Sequence, residues 1–481
     1  MPKQPNVLIV FSDQQRWDTL GVNGSPMDLT PNLDALARRG TRFLLPITNQ
    51  PVCAPARACL LTGKYATTHG VWKNGASHIA GQETLATVLA AAGYATGYVG
   101  KWHLAPPGNG PGHTPAEYRG GFRDFWETAN LLEFTSQPFE TVLYDHDGKE
   151  VRPPGYRVDA MTDRTIACID QLTATGKPWL SMVSFLEPHH QNDVDRYVPP
   201  EGYEAQYANP FVPQDLRPLP GNWVQQLPGY YGCVRSLDEN VGRLLRHLHD
   251  TNQLGNTIVV YTADHGCHFR TRNSEYKRSC HDSSLRVPLV IAGPGFDAHQ
   301  LVPEPVGLVD LMPSLLDACG LPPPDGVQGR SYLPLVCREK DAVDAWQQET
   351  FVQISESGTA RAIRSERWTY CVTAPAGHGS SHGATGPQAL PSADSAGSPR
   401  QPGQPRQPGP AAAGSSAAAS DRYAESHLYD NYADPFQHTN LLGRALYKDV
   451  ATRLRERLLE RLSAAGEAAP EIQPFPGQTP A

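Results

Sequence analysis

The string Val52-Cys53-Ala54-Pro55-Ala56-Arg57 places a thiol just ahead of a proline, where a helix is set to begin. Pro55 suits a first helical turn, because the N–H it lacks has no intrahelical partner there. Residues 56–62 are good helix formers and stop at Gly63. Cys53 is therefore expected at a helix N-terminus, where free N–H groups and the helix dipole favour an anion. Arg57 adds a fixed positive charge about one turn on. Taken alone, the same cysteine would serve equally well as a small packed core residue.

Charged and metal-binding residues recur at the ends of strand-like runs. Asp13 and Gln14 close the apolar run 6–13, Lys101 and His103 follow 94–100, His189 and His190 follow 179–186, and Asp264 and His265 follow 257–262. Open α/β sheets bind ligands beyond the carboxyl ends of their strands, so these residues are expected along one edge. Asp13-Gln14 and Asp264-His265 offer oxygen donors and one imidazole, a set suited to a hard divalent cation such as calcium or magnesium. No spaced Cys/His set is present, which argues against structural zinc. Arg57, Lys101, Lys277 and the histidines supply cations and proton donors. Metal and cations that stabilise charge on a transferring group, with an acid for the leaving oxygen, suit the chemistry of a tetrahedral oxyanion.

The elements that must hold these residues alternate. Helical patterns at 31–40, 83–92, 157–175, 230–254 and 308–319 interleave with strands at 6–13, 94–100, 179–186, 257–262 and 287–292. That order predicts an α/β fold with a mostly parallel central sheet covered by helices on both faces. After about residue 337, short strands at 350–354, 360–364, 368–372 and 427–429 and an amphipathic helix at 450–462 indicate a small C-terminal α+β subdomain with an antiparallel sheet. The organisation expected is a catalytic domain at 1–337, a subdomain at 338–468 and a loose tail at 469–481. The subdomain is interrupted by a Gly/Pro/Ser/Ala-rich insertion, 374–426, too poor in large apolar side chains to order itself. A net charge of −8 over 481 residues gives no sign of a nucleic-acid-binding surface. No signal peptide or membrane-length apolar run is seen, and nine cysteines form no dense framework, so a cytoplasmic protein with reduced thiols is expected. Cys59, Cys267 and Cys280 are read as structural.

Together these segments resemble the formylglycine-dependent sulfatases of the alkaline-phosphatase-like superfamily. Cys53-x-Pro55-x-Arg57 with Leu61-Thr62-Gly63 matches that family's signature around the modified cysteine. The run from Gly93 to Leu104 is close to its second signature, and Asn6 to Asp13 resembles its opening strand. Pro188-His189, Asp264-His265-Gly266, Arg286-Val287-Pro288-Leu289 and the segment from His427 to Leu441 match further elements.

The resemblance implies that Cys53 is oxidised by a formylglycine-generating enzyme to an aldehyde whose hydrate attacks sulfur. It implies a divalent metal, Ca2+ first with Mg2+ or Mn2+ as alternatives, held by Asp13, Gln14, Asp264, His265 and the modified Cys53. Lys277 and His189 would bind sulfate and help protonate the leaving group, and His103 would deprotonate the remaining hydroxyl so that sulfate leaves. Lys101 and Arg57 would hold and polarise the nucleophile, Lys101 also touching substrate. Asn74 is a further candidate contact, with a turn role in Asn74-Gly75 as the alternative; His190 competes with His189, and His281 is expected to support Lys277. The chain departs from the family at Gln14, where many members carry an aspartate, and at Ala105, where glycine is common. The implied substrate is a small-molecule or carbohydrate sulfate ester. Phosphonate monoester or phosphodiester hydrolysis on the same scaffold, and a metal-binding homologue without activity, are the competing readings. Leaving-group recognition is expected from loops 106–119, 131–154 and 191–223, with aromatics such as Tyr118, Phe134, Tyr156, Tyr197, Tyr203 and Trp223.

Overall fold

A computed structural model describes residues 4–297, 299–375 and 417–475. Ten strands form the main sheet: β1 (Asn6–Ser12), β2 (Thr41–Ile47), β3 (Ala95–Lys101), β4 (Phe125–Ala129), β5 (Leu143–Tyr144), β6 (Glu150–Val151), β7 (Trp179–Ser184), β8 (Thr257–Ala263), β9 (Leu289–Ala292) and β10 (Gln300–Gly307). Their order is β10-β2-β9-β8-β1-β7-β3-β4-β5-β6. The central run β8-β1-β7-β3-β4 is parallel throughout, whereas β9 and the short β5 and β6 pair antiparallel with their neighbours.

Strand β1 is wholly buried, and its alternation divides the core. Val7, Ile9 and Phe11 enter one apolar layer, with Ala54, Ala58 and Leu61 of the helix that follows Cys53. Leu8 and Val10 enter the other, with Leu33 and Leu36 of α1 (Pro31–Arg39) and Leu237, Val241 and Leu244 of the helix Trp223–Asp250. Strands covered on both faces read as continuous apolar runs because neither face meets water.

A second sheet contains β11 (Glu349–Ile354), β12 (Ala360–Ser365), β13 (Trp368–Thr373), β14 (Arg422–Asp430) and β15 (Glu471–Gln473), in sequence order. It is antiparallel except that β15 runs parallel to β14. The helix Lys448–Ala464 packs Leu454, Leu458 and Leu462 into its core.

Several elements differ from expectation. The long helix begins at Trp223 rather than 230 and holds Pro228 inside it. Near a helix start that proline forfeits a single ladder bond, and a Cβ on the adjacent Gly229 would stand 2.4 Å from the Tyr197 carbonyl oxygen, so glycine is needed there. Strand β14 starts at Arg422, so residues 422–426 are ordered rather than part of the insertion, and 471–473 add a strand where a loose tail was expected. Both segments gain backbone partners from the sheet edge, which composition does not reveal. Residues 376–416 of the expected insertion lie outside the described residues. Strands β2, β4 and β10 had no counterpart in the sequence reading.

Candidate active site

Because β1, β3, β7 and β8 are parallel neighbours, the residues that follow them emerge on one edge. Pairing continues slightly past the strand ends: the Asp264 amide donates to the Ser12 carbonyl at 3.3 Å and the Asp13 amide to the Glu187 carbonyl at 3.2 Å. Above this edge sits α2 (Cys53–Thr62), every residue of it buried. Gly63 ends it in the left-handed conformation at φ 65°, returning its N–H to the Cys59 carbonyl. Cys53 is its first residue, as the sequence indicates. The Ala54 N–H, one of the helix's orphan donors, is taken by Asn74 Oδ1 at 3.1 Å.

The Cys53 Sγ lies 3.0 Å from Lys277 Nζ, 3.4 Å from His265 Nε2 and 3.7 Å from Asp13 Oδ1. Lys277 Nζ is also 3.1 Å from His265 Nε2. Burial alone would raise the Cys53 thiol and Asp13 would raise it further, yet Lys101, Lys277 and His265 hold it well below the usual thiol range. Burial likewise opposes ionisation of Asp13, but Lys101, His189, Arg57 and Lys277 keep its carboxyl well below the ordinary carboxylate range. Asp264 behaves oppositely: burial and then Asp13 push it up to about 7.

The donor set fits a hard divalent cation. Ligand atoms of Asp13, Cys53, Asp264 and His265 all lie within 4.8 Å of one another. Asp264 Oδ1 accepts the amides of Gln14 at 3.0 Å and His265 at 2.8 Å, while its Oδ2 is buried without a hydrogen-bond partner. Gln14 donates Nε2 to the Tyr197 hydroxyl at 2.7 Å, which leaves its Oε1 buried and unpartnered too. His265 holds the Gly266 carbonyl at 2.9 Å through Nδ1, so its Nε2 faces the cluster. Two orphaned oxygens, one anionic carboxylate and one imidazole nitrogen make a mostly oxygen-donor site. Gln14 reaches its place through a left-handed backbone, φ 64°.

Arg57 and Lys101 stand elsewhere than expected. Neither lines the cavity in front of Cys53. Arg57 donates to Asp13 Oδ2 at 3.0 Å, to the Lys101 carbonyl at 3.1 Å and to the Ser184 hydroxyl, with its guanidinium 5.1 Å from the Phe11 ring centroid. Lys101 reaches Asp13 Oδ2 at 2.9 Å and Glu133 Oε1 at 3.1 Å. Both cations are engaged by carboxylates and fix Asp13 from behind, so the expected contact between Lys101 and substrate has no geometric support. Glu133 was not anticipated, and nothing in its local sequence marks it.

A cavity of about 470 Å³ opens in front of the thiol, and Cys53, Asn74, His103, His189, His190 and Lys277 all reach its wall. His189 gives its Nδ1 to the His190 carbonyl at 2.6 Å and stacks on the His190 ring, while His103 Nδ1 is buried without a partner. Burial, then His190, push His189 well below its ordinary range. His281 does not border the cavity; its Nε2 meets the Tyr429 hydroxyl at 3.0 Å. Of the loop aromatics, Phe134 alone lines the cavity and is 60% exposed, whereas Tyr156 and Tyr197 are packed in the interior. Among the described residues no helix is long and apolar enough to cross a membrane.

Comparison with known proteins agrees with this geometry. A sulfatase family model matches residues 5–321, and the model of the C-terminal part of N-sulphoglucosamine sulphohydrolase matches 274–370. An ulvan-active sulfatase of Formosa agariphila is 29% identical over 97% of this chain and 82% of its own. A solved structure of a protein in complex with its substrate D-glucosamine-2-N,6-O-disulfate superposes with a TM-score of 0.71 at 22% identity, covering 96% of this chain and 98% of that one. The phosphonate monoester hydrolase of Agrobacterium radiobacter superposes at 0.69 with 22% identity, over 96% of each chain. With the family model spanning every strand of the main sheet, this chain belongs to the sulfatase family of enzymes.

Proposed function

We propose that this sulfatase hydrolyses a carbohydrate sulfate ester, using Cys53 after its conversion to formylglycine by a formylglycine-generating enzyme. A divalent metal, Ca2+ first, with Mg2+ or Mn2+ as alternatives, would be held by Asp13, Gln14, Asp264 and His265. The observation that carries the reading is Cys53 itself: a helix-start side chain on the cavity wall, 3.0 Å from the Lys277 ammonium. The aldehyde hydrate would supply a hydroxyl nucleophile at that position and the metal would supply charge stabilisation for the sulfuryl oxygens.

The chain's own groups divide the remaining work. Lys277 brings a positive charge to the sulfuryl group, in a site buried enough to strengthen it. His189, with Nδ1 committed to His190, has Nε2 left for the cavity; an incoming sulfate monoanion favours its protonated form, which can then give a proton to the leaving oxygen. His103 stands ready as the base that frees sulfate. Arg57 and Lys101 keep Asp13 ionised and immobile. Phe134 at the mouth offers a face for a sugar ring. The similar protein bound to a disulfated glucosamine supports a sugar as the leaving group.

The similarity to a phosphonate monoester hydrolase keeps that activity as the second reading. The test co-expresses the chain with a formylglycine-generating enzyme, verifies the aldehyde at Cys53 by peptide mass, and compares turnover of glucosamine sulfates, an aryl sulfate and an aryl phosphonate monoester. The proposal expects the highest kcat/KM on a sulfated sugar. A phosphonate preference, or full activity with an unmodified thiol, overturns it.

A further inference from the structure

A second cluster of metal-ligating side chains lies away from the catalytic edge. Ligand atoms of Cys280, His281 and His427 are all within 4.8 Å of one another. Cys280 and His281 belong to the loop that carries Lys277, just ahead of the short helix Asp282–Leu285. His427 lies on β14 and is registered across β13 against Cys371. Cross-strand neighbours point to the same face, and Cys371 packs with Cys280 in one buried cluster. Two thiols and two imidazoles thus meet between the catalytic loop and the second sheet.

Each imidazole keeps one ring nitrogen free of other contacts. His281 gives Nε2 to Tyr429 and leaves Nδ1 buried with no partner, in a side chain only 6% exposed. His427 engages Ser426 through Nδ1, which leaves Nε2 free for an ion. All of Cys280, Cys371 and His281 are buried, and no cysteine of the described chain is in a disulfide.

We propose that Cys280, His281 and His427, with Cys371 as fourth donor, form a second metal site for a divalent transition ion that favours sulfur and nitrogen, with Zn2+ the expected occupant. Sulfur and nitrogen donors select zinc-like ions, whereas the oxygen-rich set beside Cys53 selects calcium-like ones. Binding as thiolates releases the thiol protons to solvent and ties the Lys277 loop to β13 and β14. The ligands come from positions 280–281, 371 and 427, too scattered for the spacing argument that spoke against structural zinc. The proposal does not depend on the catalytic reading.

The test uses the full-length chain, purified under argon, with Co2+ as spectroscopic probe. Expected are thiolate-to-cobalt charge-transfer absorption and the intense visible bands of tetrahedral cobalt, saturating at one ion per chain, in the wild type and in Cys53→Ala alike. Excess Ca2+ should leave the bands in place, and Zn2+ should displace them stoichiometrically. Cys280→Ala should abolish them, and His427→Gln, a substitution at a half-buried position that keeps the test decisive should Cys280→Ala misfold, should weaken cobalt binding at least about tenfold. The proposal is overturned by the absence of a charge-transfer band, by a band lost in Cys53→Ala but kept in Cys280→Ala, by unchanged affinity in His427→Gln, or by a Cys280–Cys371 disulfide in protein kept under argon.

Discussion

Two buried aspartates, Asp238 and Asp264, look alike by burial and by acidity but have different surroundings. Both are 0% exposed. Burial raises Asp238 to about 6, and burial together with Asp13 raises Asp264 to about 7. Asp238 sits on the helix Trp223–Asp250 and reaches the start of α1. There its Oδ1 accepts the Leu33 amide at 2.8 Å, and Oδ2 accepts the Asn32 amide at 3.1 Å and the Asn32 side chain at 2.8 Å. Every oxygen is satisfied, and the carboxylate caps a neighbouring helix from outside it. Asp264 leaves Oδ2 without a hydrogen bond, 3.6 Å from the Arg57 guanidinium, beside another orphaned oxygen on Gln14 and a second carboxylate on Asp13. A perturbed carboxyl therefore does not by itself mark function. The mark is a convergence of unsatisfied acceptors, which a folded chain tolerates where a ligand completes them.

The largest effect should separate chemistry from stability. Cys53→Ala in the catalytic edge is expected to lower sulfate-ester turnover about a thousandfold or more, measured as released sulfate. Its thermal midpoint should stay close to wild type, since a small buried side chain is exchanged for a slightly smaller one. Activity within tenfold of wild type would remove Cys53 from the mechanism and with it the contrast between the two aspartates.

The next effect is a pH dependence of stability that the structural member carries. A carboxyl raised from 3.8 to about 6 keeps its proton longer folded than unfolded, so its contribution is complete below pH 4 and is lost as pH rises through 6. The two units correspond to about 3 kcal/mol of stability lost over that window. Denaturant titrations at pH 4 and pH 7 should show a fall smaller by roughly that amount in Asp238→Asn than in wild type. An identical fall in both proteins would mean that Asp238 is ionised in the native state at pH 4.

Adding Ca2+ tests the other member. An ion that binds only the folded chain stabilises it by about 2.7 kcal/mol at a hundredfold excess over its Kd. The thermal midpoint should rise with Ca2+ in wild type and in Asp238→Asn but not in Asp264→Asn, which keeps the Oδ1 acceptor while losing the charge. A rise that survives Asp264→Asn would place the ion elsewhere.

What the sequence disclosed and what it hid follow from the range of the interactions. The start of α2 was legible because Pro55 and Gly63 act locally, and the strand-end residues were legible because parallel strands of buried apolar runs must present their ends together. Tyr197, which orients Gln14, and Glu133, which holds Lys101, were not, since the first lies on a loop and the second on the single helical turn Leu132–Thr135, both too short for a periodic signal. Strand β2 escaped notice because Pro46 and Arg42 interrupt its apolar pattern; it lies near the sheet margin, where β10 pairs along it while β9 meets it at two residues and Arg286 at one. Asn74-Gly75 could be read as a turn or as a site contact. The structure places the asparagine on the cavity wall and its side-chain oxygen on the first free amide of α2.

That last contact gives the smallest effect. Asn74→Ala removes the acceptor for the Ala54 N–H, and losing an N-terminal cap costs about 1 kcal/mol. The Asn74 backbone N–H also donates to Glu356 Oε2 at 3.1 Å, a bond the substitution leaves intact, so the loop should keep its course. Asn74→Asp retains the acceptor and should recover the stability, while its added negative charge at the cavity wall opposes an anionic sulfate. The pair of variants thus separates holding the helix from meeting the substrate. Asn74→Ala is expected to lower the thermal midpoint with a modest change in KM, and Asn74→Asp to restore the midpoint while raising KM. If Asn74→Ala instead raised KM strongly at an unchanged midpoint, Asn74 would belong with the orphaned acceptors of the catalytic edge, as a substrate contact, rather than with Asp238 as a cap.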